Sequence, residues 1–148
     1  MSNQNSRDAT SSVEELQVLS DRVRILTDGE ATGGRYEIFE VLGTAGGGAA
    51  LHRHPWDEEF HIMEGQLDIL LGDSVRTYGA GESLRVPADT LHGFRVGPEG
   101  AKFLAVTSPT GASKLFRALH EAGTAGGLTA AEVVRIASLH RVEVPPPR

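Results

Sequence analysis

Two histidines and a run of acidic residues lie close together in residues 46–65, which read GGGAALHRHPWDEEFHIMEG. His52 and His54 are two residues apart, so on a β-strand their imidazoles would point to the same face. A third imidazole is provided downstream by His92, and three carboxylates follow His54 directly, at Asp57, Glu58 and Glu59. Three imidazoles and one carboxylate form a complete set of ligands for a divalent transition metal.

The alternative is that these histidines are solvated loop residues. Glycines flank both histidine segments, at 46–48 before the first and at 79 and 81 before the second, as is typical of turns between short strands. Four of the six histidines lie between His52 and His92, so they are not spread evenly along the chain. We therefore favour a metal site over solvated histidines.

The alternation of side chains along a strand selects one of the acids. On a strand that begins at Glu58, this residue shares a face with Phe60 and Ile62, whereas Glu59 shares the opposite face with His61. The more apolar face should line the interior, where a carboxylate is unfavourable unless a partner compensates its charge. Glu58 is thus the predicted inward carboxylate, and His61 is predicted to lie on the surface or at an interface.

Both histidine segments resemble the motifs of the cupin family. The first motif corresponds to Gly46-x5-His52-x-His54-x3-Glu58-x6-Gly65, and the second to Gly81-x5-Pro87-x-Asp89-x2-His92. The resemblance implies a jelly-roll β-barrel with a metal held by His52, His54, Glu58 and His92. Asp89 stands where the second motif usually has glycine, and Val96 where it often ends in asparagine, which puts the loop shape in doubt.

Composition excludes several other classes of protein. The 148 residues contain no cysteine, which leaves imidazole and carboxylate as the strong ligands and favours a cytoplasmic location. The net charge of −6 argues against nucleic-acid binding. No apolar run approaches the ~20 residues of a membrane helix, and the N-terminus has no apolar segment typical of a signal peptide.

The order of elements predicts an all-β domain with one or two short C-terminal helices. Residues 1–11 are polar and are expected to be a disordered tail, and residues 12–148 a single cupin domain with its barrel at about 23–108. Short strands separated by glycine turns fill the barrel segment, as in a β-barrel or sandwich. Ser12 to Glu15 has the form of a capping box, so a helical turn and a coincidental match are both open there.

A helical extension is predicted over residues 112–141. Apolar residues recur at helical spacing in residues 113–120, and a glycine-rich break follows at 123–127. Thr129 to Glu132 forms a second capping box, and residues 141–144 could return as an edge strand. His120 and His140 are interpreted as surface residues or partners of helix C-termini, not as metal ligands.

With this extension, residues 23–147 are similar to small single-cupin proteins of the quercetin 2,3-dioxygenase-like type. The resemblance implies a divalent transition metal (Fe, Mn, Ni, Co, Cu or Zn) but leaves the reaction open, because one fold supports many chemistries. Dioxygenation of a small aromatic or enolic molecule is the favoured hypothesis, with Glu58 as a possible general base. Polyketide cyclisation or isomerisation and non-catalytic ligand binding are the alternatives, and a homodimer is expected.

An apolar inner wall is predicted to hold the substrate against the metal. Its candidate residues, each of which could alternatively be simple barrel packing, are Phe60, Ile62, Leu67, Ile69, Leu84, Val86, Phe94, Leu104 and Val106.

Overall fold

A computed structural model describes residues 13–146 of the chain. The predicted disordered tail, residues 1–11, lies outside this range. Eight strands precede two C-terminal helices: β1 Glu14–Val18, β2 Asp21–Thr27, β3 Glu37–Gly43, β4 Gly48–His52, β5 Asp57–Leu71, β6 Ser74–Gly79, β7 Ser83–Val86 and β8 His92–Ser108. A single helical turn, α1 (Gly29–Thr32), lies between β2 and β3. The two C-terminal helices are α2 (Ala112–Thr124) and α3 (Ala130–Leu139). The predicted all-β architecture with short C-terminal helices is confirmed.

The long strands β5 and β8 form the centre of the sheet. The strand order is β1-β2-β3-β8-β5-β6, β4 also pairs with β8 and β7 with β5, and all these pairs are antiparallel. Register shifts interrupt the β5–β8 ladder on both sides of Gly65. A Cβ atom at Gly65 would lie 2.1 Å from the carbonyl oxygen of Gly100, and its φ is +76°. Only glycine allows the two strands to approach so closely at this bend.

Alternation along the strands places most of the predicted inner wall inside the molecule. Seven of those residues are buried or partly buried on the inner faces: Phe60, Ile62, Leu67, Ile69, Leu84, Val86 and Phe94. The prediction was wrong for Leu104 and Val106, because Phe103, Ala105 and Thr107 occupy the buried face of β8 and Val106 is 38% exposed. Residues 103–106 are apolar on both faces, so their periodicity could not determine which face points inward.

The N-terminal segment forms a strand where a helical turn was one of two predicted alternatives. Glu14 to Val18 pairs in antiparallel register with β2, and its Leu16 and Val18 are buried while Glu14, Glu15 and Gln17 face solvent. Alternation with a period of two therefore outweighs the capping-box pattern. Residues 141–144 contribute only one isolated bridge, between Arg53 and Glu143, instead of an edge strand.

The two C-terminal helices pack against one side of the sheet. The predicted capping box of α3 is present, with reciprocal hydrogen bonds between Thr129 and Glu132. Phe116 of α2 contacts Phe39 of β3 edge to face, with 5.0 Å between ring centroids. Within residues 13–146, no helix is both long and apolar enough to cross a membrane.

Candidate metal centre

The sheet brings together three histidines that are 40 residues apart at the extremes. His52 ends β4 and is directly opposite His92, which begins β8, while His54 follows β4 in the connection to β5. One ring nitrogen from each imidazole can be chosen so that all three lie within 4.8 Å of one another. His54 and His92 are 4% and 1% exposed, so the cluster faces the interior. Donors at these separations can reach one cation.

Hydrogen bonds fix the orientation of each imidazole ring. In all three residues Nδ1 lies within hydrogen-bond distance of a backbone carbonyl oxygen two residues away: Ala50 for His52 (2.7 Å), Trp56 for His54 (3.0 Å) and Thr90 for His92 (2.8 Å). A carbonyl oxygen only accepts, so each Nδ1 must carry a proton. In the neutral imidazole the lone pair is then on Nε2, which is the tautomer of a histidine that binds metal through Nε2.

Glu58 of β5 completes the centre, with its carboxylate turned inward as predicted. Its Oε1 atom lies 3.3 Å from Nε2 of His54 and 3.3 Å from Nε2 of His92. Burial would raise the pKa of Glu58, but hydrogen bonds from His54 and His92, which Nε2 donates only when the imidazole carries a second proton, outweigh that effect and lower the pKa to about 2. The carboxylate is therefore ionised at neutral pH. It faces the same point as the imidazole nitrogens.

Burial, together with the electrostatic effect of the neighbouring His92, lowers the pKa of His52 to about 4. Its imidazole is consequently neutral at pH 7, with a free lone pair. The donor set of three imidazoles and one carboxylate, all oriented toward one point, fits a divalent transition metal of the first row. A cation there would also satisfy Glu58, which otherwise depends on proton-bearing imidazoles as partners.

Trp56 orients one histidine of this centre, although neither sequence motif includes it as a functional residue. Its indole ring is 2% exposed and stacks on the imidazole of His54, with centroids 4.6 Å apart and an angle of 11° between the planes. Its own carbonyl oxygen accepts the hydrogen bond from Nδ1 of His54. One residue thus fixes both the plane and the tautomer of a ligand histidine. The single tryptophan of the chain, two positions after His54, was the available signal.

The structure explains how Asp89 can stand where the second motif usually has glycine. Its φ is +63°, the left-handed conformation that usually requires glycine and that Asp tolerates better than most residues. The backbone nitrogen of Asp89 donates to the carbonyl oxygen of His54 at 2.8 Å, and that of Ala88 donates to Asp57 Oδ1 at 2.8 Å. The loop before His92 therefore keeps the turn expected for glycine and is attached to the first histidine segment.

An apolar cavity of about 190 Å³ adjoins the histidine cluster and Glu58. Of the predicted pocket residues, Phe60 and Phe94 line it, together with His52, Glu58 and His92. Five others are buried outside its lining: Ile62, Leu67, Ile69, Leu84 and Val86. Leu104 and Val106 are on the opposite face of β8 and do not line it.

Helix α2 forms one side of the cavity, and one polar residue of the wall was not predicted from the sequence. Leu115, Phe116 and Leu119 of α2 complete the wall, as does Asp21 at the start of β2. The amphipathic pattern of α2 showed that it buries a face but not which strands that face covers. The other three histidines lie outside the cluster: exposed His61 contacts Ser83 Oγ at 2.7 Å, His120 accepts from Gln17, and His140 ends α3.

Comparison with known proteins agrees with this geometry. Residues 39–107 match the family model described as the cupin domain. No curated protein matches the sequence. Among solved structures, the polyketide cyclase RemF from Streptomyces resistomycificus is 25% identical with a TM-score of 0.58, and the match covers 66% of this chain and 75% of that one.

Two further solved structures share the fold at lower identity. A sugar phosphate isomerase of the cupin superfamily from Silicibacter pomeroyi is 22% identical, with a TM-score of 0.58 and coverage of 68% of this chain and 73% of that chain. Oxalate decarboxylase from B. subtilis is 19% identical, with a TM-score of 0.60. The match covers 67% of this chain but only 28% of the decarboxylase chain. Proteins of one fold thus carry out several reactions.

Proposed function

We propose that this chain, whose residues 39–107 match the model of the cupin domain, is a metal-dependent enzyme that converts a small aromatic or enolic molecule. The proposal rests on one observation. Three imidazoles whose tautomers are fixed by backbone carbonyls converge beside an apolar cavity of about 190 Å³. A cavity of about 150 Å³ already accommodates benzene, so this one has room for an aromatic ring.

The residues have distinct roles in this proposal. His52, His54 and His92 would hold the metal through Nε2, and Glu58 would supply the carboxylate ligand. A divalent metal in this position supplies Lewis-acid polarisation of a carbonyl or enol oxygen and, if redox-active, supports oxygen chemistry. The aromatic side chains of Phe60 and Phe94 exclude water and orient the ring of the substrate.

For the reaction we favour cyclisation or isomerisation through an enolised substrate. The polyketide cyclase that the chain resembles at 25% identity supports this assignment. In this proposal Glu58 moves the proton once its carboxylate leaves the metal, since the group is ionised and lines the cavity. Dioxygenation is the second candidate, since an imidazole and carboxylate donor set also suits redox-active metals.

Proton exchange and oxygen uptake distinguish the two reactions. The first experiment follows deuteration of the methyl group of 2′-hydroxyacetophenone in D₂O under nitrogen, with the Zn²⁺-loaded protein. We expect exchange at least about 100-fold faster than with the His92→Ala variant. The second follows oxygen consumption by the Fe²⁺-loaded protein with 3-hydroxyflavone.

Each outcome assigns a function. Exchange with Zn²⁺ supports the cyclase or isomerase class, whereas oxygen uptake without exchange supports the dioxygenase. If the fully metal-loaded protein does neither, the enzyme proposal is overturned in favour of a ligand-binding cupin. Glu59→Gln is a control that should leave both assays unchanged, because Glu59 is next to Glu58 on β5 but faces solvent.

A further inference from the structure

A second buried carboxylate lines the same cavity as the metal ligands. Asp21 is the first residue of β2, shares the buried face of this strand with Val23, and lines the cavity that His52 and Glu58 also line. Only 8% of Asp21 is exposed. Acidic residues are rarely this buried without a partner, so the position needs an explanation.

Asp21 lacks such a partner among the described residues. Its Oδ1 atom is buried and accepts no hydrogen bond within residues 13–146. Glu37, a comparable buried carboxylate, shows how the fold treats a structural one: both of its oxygens accept hydrogen bonds, from donors on Gly29, Gly111 and Ser113. Leaving a buried acceptor unsatisfied is unfavourable, which indicates that Asp21 serves something other than the fold.

Asp21 is at the far end of the cavity from the metal ligands. It pairs with Gly43 of β3, and a Cβ atom at Gly43 would lie 3.6 Å from Asp21 Oδ1 and 2.6 Å from Val96 Cγ2. Val96 is four residues from His92 on β8, which corresponds to about 13 Å at the rise of an extended strand. The other titratable side chains of the cavity wall, His52, Glu58 and His92, are at the metal end.

Aromatic side chains occupy the wall between the two polar ends. Phe60, Phe94 and Phe103 contact one another edge to face, with centroids 5.4 to 6.1 Å apart. Such a surface favours a flat, apolar ligand and offers it no hydrogen bond. A ligand polar at its centre would lose hydrogen bonds with water on entry, whereas one polar at both ends would keep them.

We propose that Asp21 is a substrate-anchoring residue, which accepts a hydrogen bond from a hydroxyl group at the end of an aromatic substrate remote from the metal. This inference rests on the proposed function, because it assumes that the substrate occupies this cavity with its other end at the metal. Burial raises the pKa of Asp21 to about 6, so the carboxylate is mostly ionised at pH 7.5 and acts as an acceptor. The substrate class is therefore an aromatic molecule with a metal-binding oxygen group at one end and a phenolic hydroxyl at the other.

Two ligands that differ only in the distal hydroxyl test the inference. 2-Naphthohydroxamate binds a metal through its hydroxamate, and 6-hydroxy-2-naphthohydroxamate adds a hydroxyl at the opposite end. Dissociation constants for both are measured by calorimetry at pH 7.5 on the Zn²⁺-loaded protein and on the Asp21→Ala and Asp21→Asn variants. The control is Glu99→Gln, which removes one negative charge from an exposed site outside the cavity.

The wild-type protein should bind the hydroxylated ligand at least about tenfold more tightly, because a hydrogen bond to a charged group contributes that much. Asp21→Ala should remove this preference, Asp21→Asn should reduce it, and Glu99→Gln should preserve it. Equal affinity of the wild type for both ligands, or an unchanged preference in Asp21→Ala, would overturn the inference while leaving the proposed function intact. If neither ligand binds the loaded protein, the inference fails, whereas the proposed function is decided separately by the proton-exchange and oxygen-uptake assays.

Discussion

The indole of Trp56 is stacked almost parallel on the imidazole of His54, with ring centroids 4.6 Å apart. Stacking limits rotation of the imidazole, and the hydrogen bond from its Nδ1 to the Trp56 carbonyl fixes its tautomer. The residue therefore prepares His54 as a ligand without contacting the metal point itself. Its contribution should appear in metal affinity more than in the fold.

We expect Trp56→Leu to weaken Zn²⁺ binding by about tenfold, the lower range for loss of a group that orients a ligand. The backbone carbonyl remains, so the effect measures the stacking alone. Trp56→Phe retains an aromatic ring and should stay close to wild type. Competition titration with a chromogenic chelator gives the affinities, and a Trp56→Leu variant with unchanged affinity would show that stacking does not orient His54.

The backbone of Gly111 packs against the same indole. A Cβ atom there would lie 2.8 Å from Trp56 Cζ3, and its φ is +153°. Gly126 has a similar φ of +150° with no atom within 4 Å of an added Cβ, so it is a matched control for backbone strain. We expect Gly111→Ala to lower the free energy of unfolding by about 1–3 kcal/mol more than Gly126→Ala, measured in urea. Equal losses would mean that the indole moves aside freely.

Removal of the Asp21 charge should stabilise the protein in a pH-dependent manner. Burial raises the pKa of this carboxyl from 3.8 to about 6, so the folded state favours the protonated form. Ionisation therefore destabilises the fold above pH 6, and the effect disappears as the pH falls through the unfolded value of 3.8. A difference of about two pKa units corresponds to about 3 kcal/mol.

Asp21→Asn should accordingly be more stable than wild type by up to about 3 kcal/mol at pH 8, and by almost nothing near pH 4. Urea denaturation of the metal-free proteins across this range provides the comparison. Glu99→Gln again serves as the control and should show no such trend. Lower stability of Asp21→Asn at pH 8 would assign Asp21 a structural role.

Glu37 should behave in the opposite way, because its carboxylate is bonded on both oxygens. Oε1 accepts from the backbone nitrogens of Gly111 and Ser113, and Oε2 accepts from that of Gly29 and from Ser113 Oγ. Glu37→Gln would turn an amide N–H₂ group toward donors. We expect a loss of about 3 kcal/mol in the free energy of unfolding, and a loss below about 1 kcal/mol would show that these bonds contribute little.

The two histidine segments and the inward Glu58 could be predicted because both depend on short-range patterns. Two-residue spacing decides which side chains share a face, and the motif glycines mark the turns. Leu104 and Val106 were assigned to the wrong face because residues 103–106 are apolar on both sides, so neighbouring strands decide the register. The first strand was equally ambiguous, since Glu14 and Glu15 fit both an alternating strand and a capping box.

Trp56 and Asp21 escaped prediction for a different reason. Their roles depend on contacts with distant residues, such as Gly111 on Trp56 and Gly43 beside Asp21, which no local pattern records. A buried acid next to apolar residues reads in the sequence as an ordinary polar turn residue. Only the assembled cavity distinguishes Asp21, whose Oδ1 has no hydrogen-bond partner in the part of the chain that the structure describes, from Glu37, which is bonded on both oxygens.

Metal content tests the central claim most directly. Elemental analysis of the protein purified without added metal, then reloaded with one divalent ion at a time, should give about one equivalent per chain. His92→Ala should retain less than about a tenth of that amount, whereas His61→Ala, which changes an exposed histidine outside the cluster, should retain all of it. Equal metal content in the wild type and His92→Ala, or none in the reloaded wild type, would contradict the claim that His52, His54 and His92 hold a metal.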